Sequence, residues 1–163
     1  MAKKSRDRRQ NRVIQRGSLI RRVATVVAIG FLGVGILGFV PGITTNYETL
    51  SWAGDHSQAQ LFGVFHVSVL HNLLHLAYGV VGLLLALNTA GARVFLTVGG
   101  AGYLMLWLMG LVIRQDVLAN WLPVDEADNW LHLGLGLGML VLGLQLSTRL
   151  NADNRALDDP APA

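Results

Sequence analysis

Four apolar stretches, each close to twenty residues long, decide what this chain can fold into. They run over about 19–40, 69–88, 94–113 and 129–148 of the 163 residues. Roughly 20 apolar residues is what a helix needs to cross a hydrocarbon core about 30 Å thick. Backbone amides in lipid have no water to bond, so each stretch is predicted to be a helix. None of them alternates as a barrel strand would. Charged residues make up 14% of the chain, against about 25% in soluble domains, so lipid is the expected solvent. The fold class that follows is all-α: an integral membrane four-helix bundle. The absence of cysteine removes disulfides, thiolate metal sites and cysteine nucleophiles together.

Charge sets the orientation. Lys3, Lys4, Arg6, Arg8, Arg9, Arg12, Arg16, Arg21 and Arg22 crowd the start of the chain against the single acid Asp7. Next to an apolar helix they read as a topogenic signal that contacts anionic lipid headgroups, with no nucleic-acid partner expected. With the N-terminus inside, Arg93, Arg149 and Arg155 also fall on the inner side and Arg114 alone falls outside. The outer loops carry Glu48, Asp55, Asp116, Asp125, Glu126 and Asp128 instead. Both termini are therefore expected in the cytoplasm. Residues 1–18 read as a basic tail, 19–148 as the membrane domain and 149–163 as a disordered tail. The first stretch is long for a signal peptide and no small-residue cleavage site follows it, so an uncleaved anchor is expected.

The first outer loop, 42–68, is too long for a plain connector. Its apolar half, Ala59 to Val67, is too short to span. It reads as a helix lying in the interface or as a re-entrant lead-in. Tyr47, Trp52, Trp121 and Trp130 suit an interfacial aromatic belt on that side.

The second and fourth stretches start alike. His71-Asn72-Leu73-Leu74-His75-Leu76 matches Asp128-Asn129-Trp130-Leu131-His132-Leu133, and Gly79 matches Gly136. More weakly, Gly30-Phe31-Leu32 with Gly38 matches Gly102-Tyr103-Leu104 with Gly110. The pattern is that of two helical hairpins in the same orientation, related by an axis along the membrane normal.

Polar side chains within spans are costly and usually face a bundle interior. At 100° per residue, His71, His75, Tyr78, Gly82 and Ala86 share one stripe. Asp128, His132, Gly136, Met139 and Gly143 share another, and Gly99, Tyr103, Gly110 and Arg114 a third. If the stripes converge, His71, Asn72, His75, Arg114, Asp128, Asn129 and His132 form one polar cluster near the outer face. Interhelical hydrogen bonding with Arg114 paired to an acid is the structural reading. A metal site on His71, His75, Asp128 and His132 is a second, since an i, i+4 pair points two imidazoles one way. Haem between His75 and His132 is a third, and a ligand or proton route a fourth. No P-loop, dinucleotide fingerprint or His-Glu-x-x-His is present, and Ser68 has no nucleophile elbow around it. No cofactor is expected. The expected role is a structural or interaction role without catalysis, with a homo-oligomer or another membrane protein as partner. Solute or proton transport by an oligomer is the remaining class.

The run Gln60-Leu61-Phe62-Gly63-Val64-Phe65-His66-Val67-Ser68-Val69-Leu70-His71-Asn72-Leu73-Leu74-His75-Leu76 resembles the bacterial membrane proteins of domain-of-unknown-function family 4383. Ala127-Asp128-Asn129-Trp130-Leu131-His132-Leu133 is similar to that family's second signature. The resemblance covers about 19–146. It implies four spans and a bacterial plasma membrane, and it supplies no activity.

Overall fold

Apolar sequence in this arrangement makes four helices, each antiparallel to the next, in the computed structural model, which describes residues 2–53, 56–112 and 126–158. Helix α1 is Ala2–Leu37, α2 is Val69–Leu85, α3 is Thr89–Val112 and α4 is Glu126–Asp158. α1, α3 and α4 are long and apolar enough to cross a membrane, whereas α2 is a shorter apolar helix of 17 residues. The chain is an all-α bundle with the composition of a membrane protein. Ile20, Ala24, Ala28 and Phe31 form the buried stripe of α1 and meet Phe95, Leu96 and Tyr103 of α3 and Met139 of α4 in one core. Val26, Leu84, Val98 and Val112 stay exposed on the outside of the same helices, as lipid-facing residues would.

Two helices overrun the apolar layer at the same end. With 36 and 33 residues, α1 and α4 are roughly 54 and 50 Å long at 1.5 Å per residue, well beyond a core of about 30 Å. The basic segment expected as a tail is thus the first part of α1. The disorder expected from residue 149 is corrected as far as Asp158, where α4 ends. Its polar turns are held by α1. Arg16 donates to the Arg149 carbonyl at 2.7 Å and pairs with Asp153 at 2.9 Å, Arg9 donates to the Ala156 carbonyl, and Leu150 is buried. Residues 159–163 lie outside the described residues.

The opposite end carries a cap, and here the expected interfacial helix is corrected. Strands β1 (Thr44–Thr45), β2 (Gln60–Leu61) and β3 (Phe65–His66) form a small antiparallel sheet. Thr44 faces Leu61, and Leu61 faces Phe65. Phe62 and Gly63 both take left-handed backbone angles, φ 56° and 70°, which reverse the chain where a helix would continue. Ala59, Leu61 and Val67 point inward at strand spacing and pack with Val34 and Leu37 of α1. Tyr47 falls in a single 3-10 turn of the cap, and Trp52 of the cap is exposed at the same end as Trp130 of α4. Asp55, Asp116, Trp121 and Asp125 lie outside the described residues.

Candidate functional site

The cap fixes the start of α2, and α2 carries half of the polar cluster. The first amides of a helix lack partners within it. Here Val69 donates to the Ser51 carbonyl at 3.0 Å, Leu70 to the Trp52 carbonyl at 2.9 Å, His71 to Ser68 Oγ at 3.1 Å and Asn72 to the Ser68 carbonyl at 2.9 Å. Ser68 is the N-cap and is fully buried. That role is legible in the sequence only as a Ser-x-x-His start before an apolar run, a pattern distinct from a nucleophile elbow.

His71, Asn72, His75, Asp128 and His132 are all buried, and Asn129 is half-buried. The side chain of Lys3 and the whole of Arg114 lie outside what is described. His75 Nδ1 is 3.0 Å from the His71 carbonyl. A carbonyl only accepts, so Nδ1 carries the proton and Nε2 is left as an acceptor. The rings of His71 and His75 stack with centroids 4.6 Å apart. His132 lies edge-on to Tyr103 at 5.4 Å.

Phe31 is the residue that joins the helices at this level. Its ring centroid lies 4.7 Å from Tyr78, 5.3 Å from Tyr103 and 5.8 Å from His75. Its only sequence signal is the match to Tyr103 in the proposed repeat. The two asparagines sit over glycines. A Cβ on Gly38 would clash with Asn72 Oδ1, and one on Gly110 would clash with Asn129 Oδ1.

The metal reading of His71, His75, Asp128 and His132 is not met by this geometry. Among the described residues, no group of three His, Cys, Asp or Glu side chains is placed to hold a metal ion. The physical reason lies partly in the stack: rings only 26° from parallel direct their in-plane lone pairs side by side, where tetrahedral coordination needs them to converge. The residues expected at lipid headgroups divide. Arg9 and Arg16 bond α4, and Arg21 donates to the Ala86 carbonyl at the C-terminus of α2 at 3.1 Å, where a cation suits the helix dipole. Lys4, Arg6, Arg8, Arg12 and Arg22 are exposed.

Between α2 and α3 the bundle opens into a cavity of about 550 Å³, within the range of small-molecule sites. His71, His75, Tyr78, Tyr103 and His132 line one part of it, and apolar residues such as Val81, Leu85, Val94 and Val98 line the rest. His71 Nδ1, Tyr78 Oη and His132 Nδ1 are buried without a hydrogen-bond partner.

A family profile described as "Domain of unknown function (DUF4383)" matches residues 21–145. The chain belongs to that family. The DUF4383 match takes in every residue that lines the cavity and stops short of the α1 and α4 overruns. No curated protein and no solved structure matches the chain.

Proposed function

We propose that this DUF4383 chain is a four-span protein of the bacterial plasma membrane, with both termini cytoplasmic and no catalytic activity of its own, that holds a membrane molecule in the groove between α2 and α3. α2 counts as the fourth span because this mostly apolar helix, at 17 residues, meets the lower limit of about 17 for a crossing helix. The lopsided placement of basic residues supports the orientation. At the inner end, Arg12 and Arg22 are exposed for anionic headgroups. The hairpins α1–α2 and α3–α4 read as repeats. Asn72 on Gly38 corresponds to Asn129 on Gly110, and Leu32 against Gly79 corresponds to Leu104 against Gly136.

One observation carries the binding reading: His71 and His132 stand on a cavity wall, nine-tenths or more buried, with Nδ1 atoms unpaired. An unpaired buried polar atom costs about 1–3 kcal/mol. Asn72 and Asn129 also have unpaired side-chain atoms, but they pack over glycines away from the cavity, whereas His71 and His132 stand on its wall. The groove opens sideways along exposed Val81, Val94 and Val98, which suits entry from the bilayer.

The test uses Gly102→Phe. Gly102 lines the cavity, and a Cβ there meets nothing within 4 Å, so the ring fills the groove without disturbing the packing. In intact-complex mass spectrometry from mild detergent, the wild type is expected to carry a single small-molecule adduct and Gly102→Phe to lose it at unchanged melting temperature. Equal adducts in both proteins, or none in the wild type, would contradict the reading, as would a Soret band marking haem at His75 and His132.

A further inference from the structure

The occupant of the groove has a definite chemistry, and this inference rests on the binding function proposed above. We infer that the groove takes a neutral amphiphile with a flat, oxygen-bearing ring head and a long unbranched or isoprenoid tail, the class of isoprenoid quinones and quinols.

Its shape argues for a tail. The apolar wall runs from Leu74 past Tyr78 and Val81 to Leu85 on α2, with Val94 and Val98 facing it from α3. Leu74 to Leu85 spans roughly 16 Å at 1.5 Å per residue, far longer than any compact solute needs. Several of these residues are exposed, so a tail can leave the groove sideways and continue into lipid without crossing a polar layer.

The polar end argues for the head. It holds three imidazoles and two phenols, and no Lys, Arg, Asp or Glu is among the described lining residues. Among the described lining residues a phosphate head would meet no fixed cation, and burying an uncompensated charge is prohibitive. An uncharged head with carbonyl or hydroxyl oxygens fits instead. A neutral imidazole offers one donor and one acceptor. With Nδ1 of His75 committed to the His71 carbonyl, its Nε2 accepts from a hydroxyl. His71 and His132 line the same cavity, and each neutral ring keeps one donor for a carbonyl. Phe95, Tyr78 and Tyr103 surround the place with aromatic faces and edges, Tyr78 lying 5.2 Å from Phe95 and 5.5 Å from Tyr103. Such surroundings favour a planar ring over a glycerol backbone.

Orientation follows. The head lies at the end of the bundle that carries the β cap, and the tail points toward the turn between α2 and α3.

The experiment exchanges purified full-length protein into lipid nanodiscs of defined composition holding equal amounts of a prenylquinone, a diacylglycerol and a phosphatidylglycerol. The nanodiscs are diluted in detergent, and what stays on the protein is counted by extraction and mass spectrometry. Wild type is compared with Gly102→Phe, which blocks the groove, and with His132→Phe, which keeps a ring and removes its nitrogens. The prenylquinone should be retained at least tenfold over the other two, and both variants should lose most of it. Retention of diacylglycerol or phosphatidylglycerol in its place, abolished by Gly102→Phe, would overturn the ligand class and leave the binding function standing. Retention of the quinone undiminished by His132→Phe would overturn the placement of the head. No species retained above the Gly102→Phe level would overturn both the ligand class and the binding function.

Discussion

The seam between α1 and α4 and the seam between α2 and α3 are counterparts if the two hairpins are repeats, yet one is clamped and the other is open. α1 and α4 both run on past the apolar layer, and there Arg16 holds Asp153 and the Arg149 carbonyl while Arg9 holds the Ala156 carbonyl. α2 stops at Leu85 and turns into α3 at Thr89, so no such extension exists to draw those two helices together. The cavity lies along the open seam. A second difference sits at the matched positions His71 and Asp128: the imidazole lines the cavity and the carboxylate is not among its lining residues. Similar helices thus acquire different seams through what lies beyond their ends.

The largest effect expected from breaking this comparison comes at the glycines beneath the asparagines. Asn72 is 1% exposed and has no room to withdraw, so Gly38→Ala should lower stability by about 1–3 kcal/mol, the cost of overpacking a filled interior. Asn129 is half-buried, so Gly110→Ala should cost less. Thermal melts in detergent measure both, and adding Asn72→Ala to Gly38→Ala should recover part of the loss. Equal melts for Gly38→Ala and wild type would remove the close approach on which the hairpin packing depends. Next in size is Ser68→Ala, which takes away the α2 cap and should cost about 1 kcal/mol. It should also speed amide exchange at His71 while leaving the start of α4 unchanged. Smallest is Arg16→Ala. Arg16 and Asp153 are a partly exposed pair, worth at most about 1 kcal/mol. Its removal should raise hydrogen exchange at residues 150–158 without shifting the main transition, and exchange that stays slow there would mean that α4 holds itself without α1.

How far all this can be read in the residues depends on where the partner lies. The helices are legible because lipid demands apolar runs of a set length, and the polar stripes of α2, α3 and α4 are legible because buried positions repeat with the helix. His71, His75 and His132 line one cavity. The end of α4 is not legible: Asn151, Asp153 and Asn154 look like solvated tail, and the contacts of that end with α1, such as those of Arg9 and Arg16, come from more than a hundred residues away. The cap misleads for a different reason. Ala59 to Val67 is apolar throughout, so its two-residue period is masked, and Phe62 gives no hint of a left-handed backbone. Phe31 resembles any apolar residue of α1 until its neighbours from α2 and α3 are in place. The stack of His71 on His75 turns on ring orientation, which i, i+4 spacing leaves open.

The unequal seams can be tested in the native membrane by photo-cross-linking. A photoreactive residue replaces Leu106, in the lining of the groove, or Leu142, an exposed position on α4. The open groove should give one defined small-molecule adduct at Leu106, lost when Gly102→Phe is added, while Leu142 captures the bulk phospholipid mixture. If both positions capture that same mixture, and Gly102→Phe changes neither, the groove is ordinary lipid-facing surface and the proposed function is wrong.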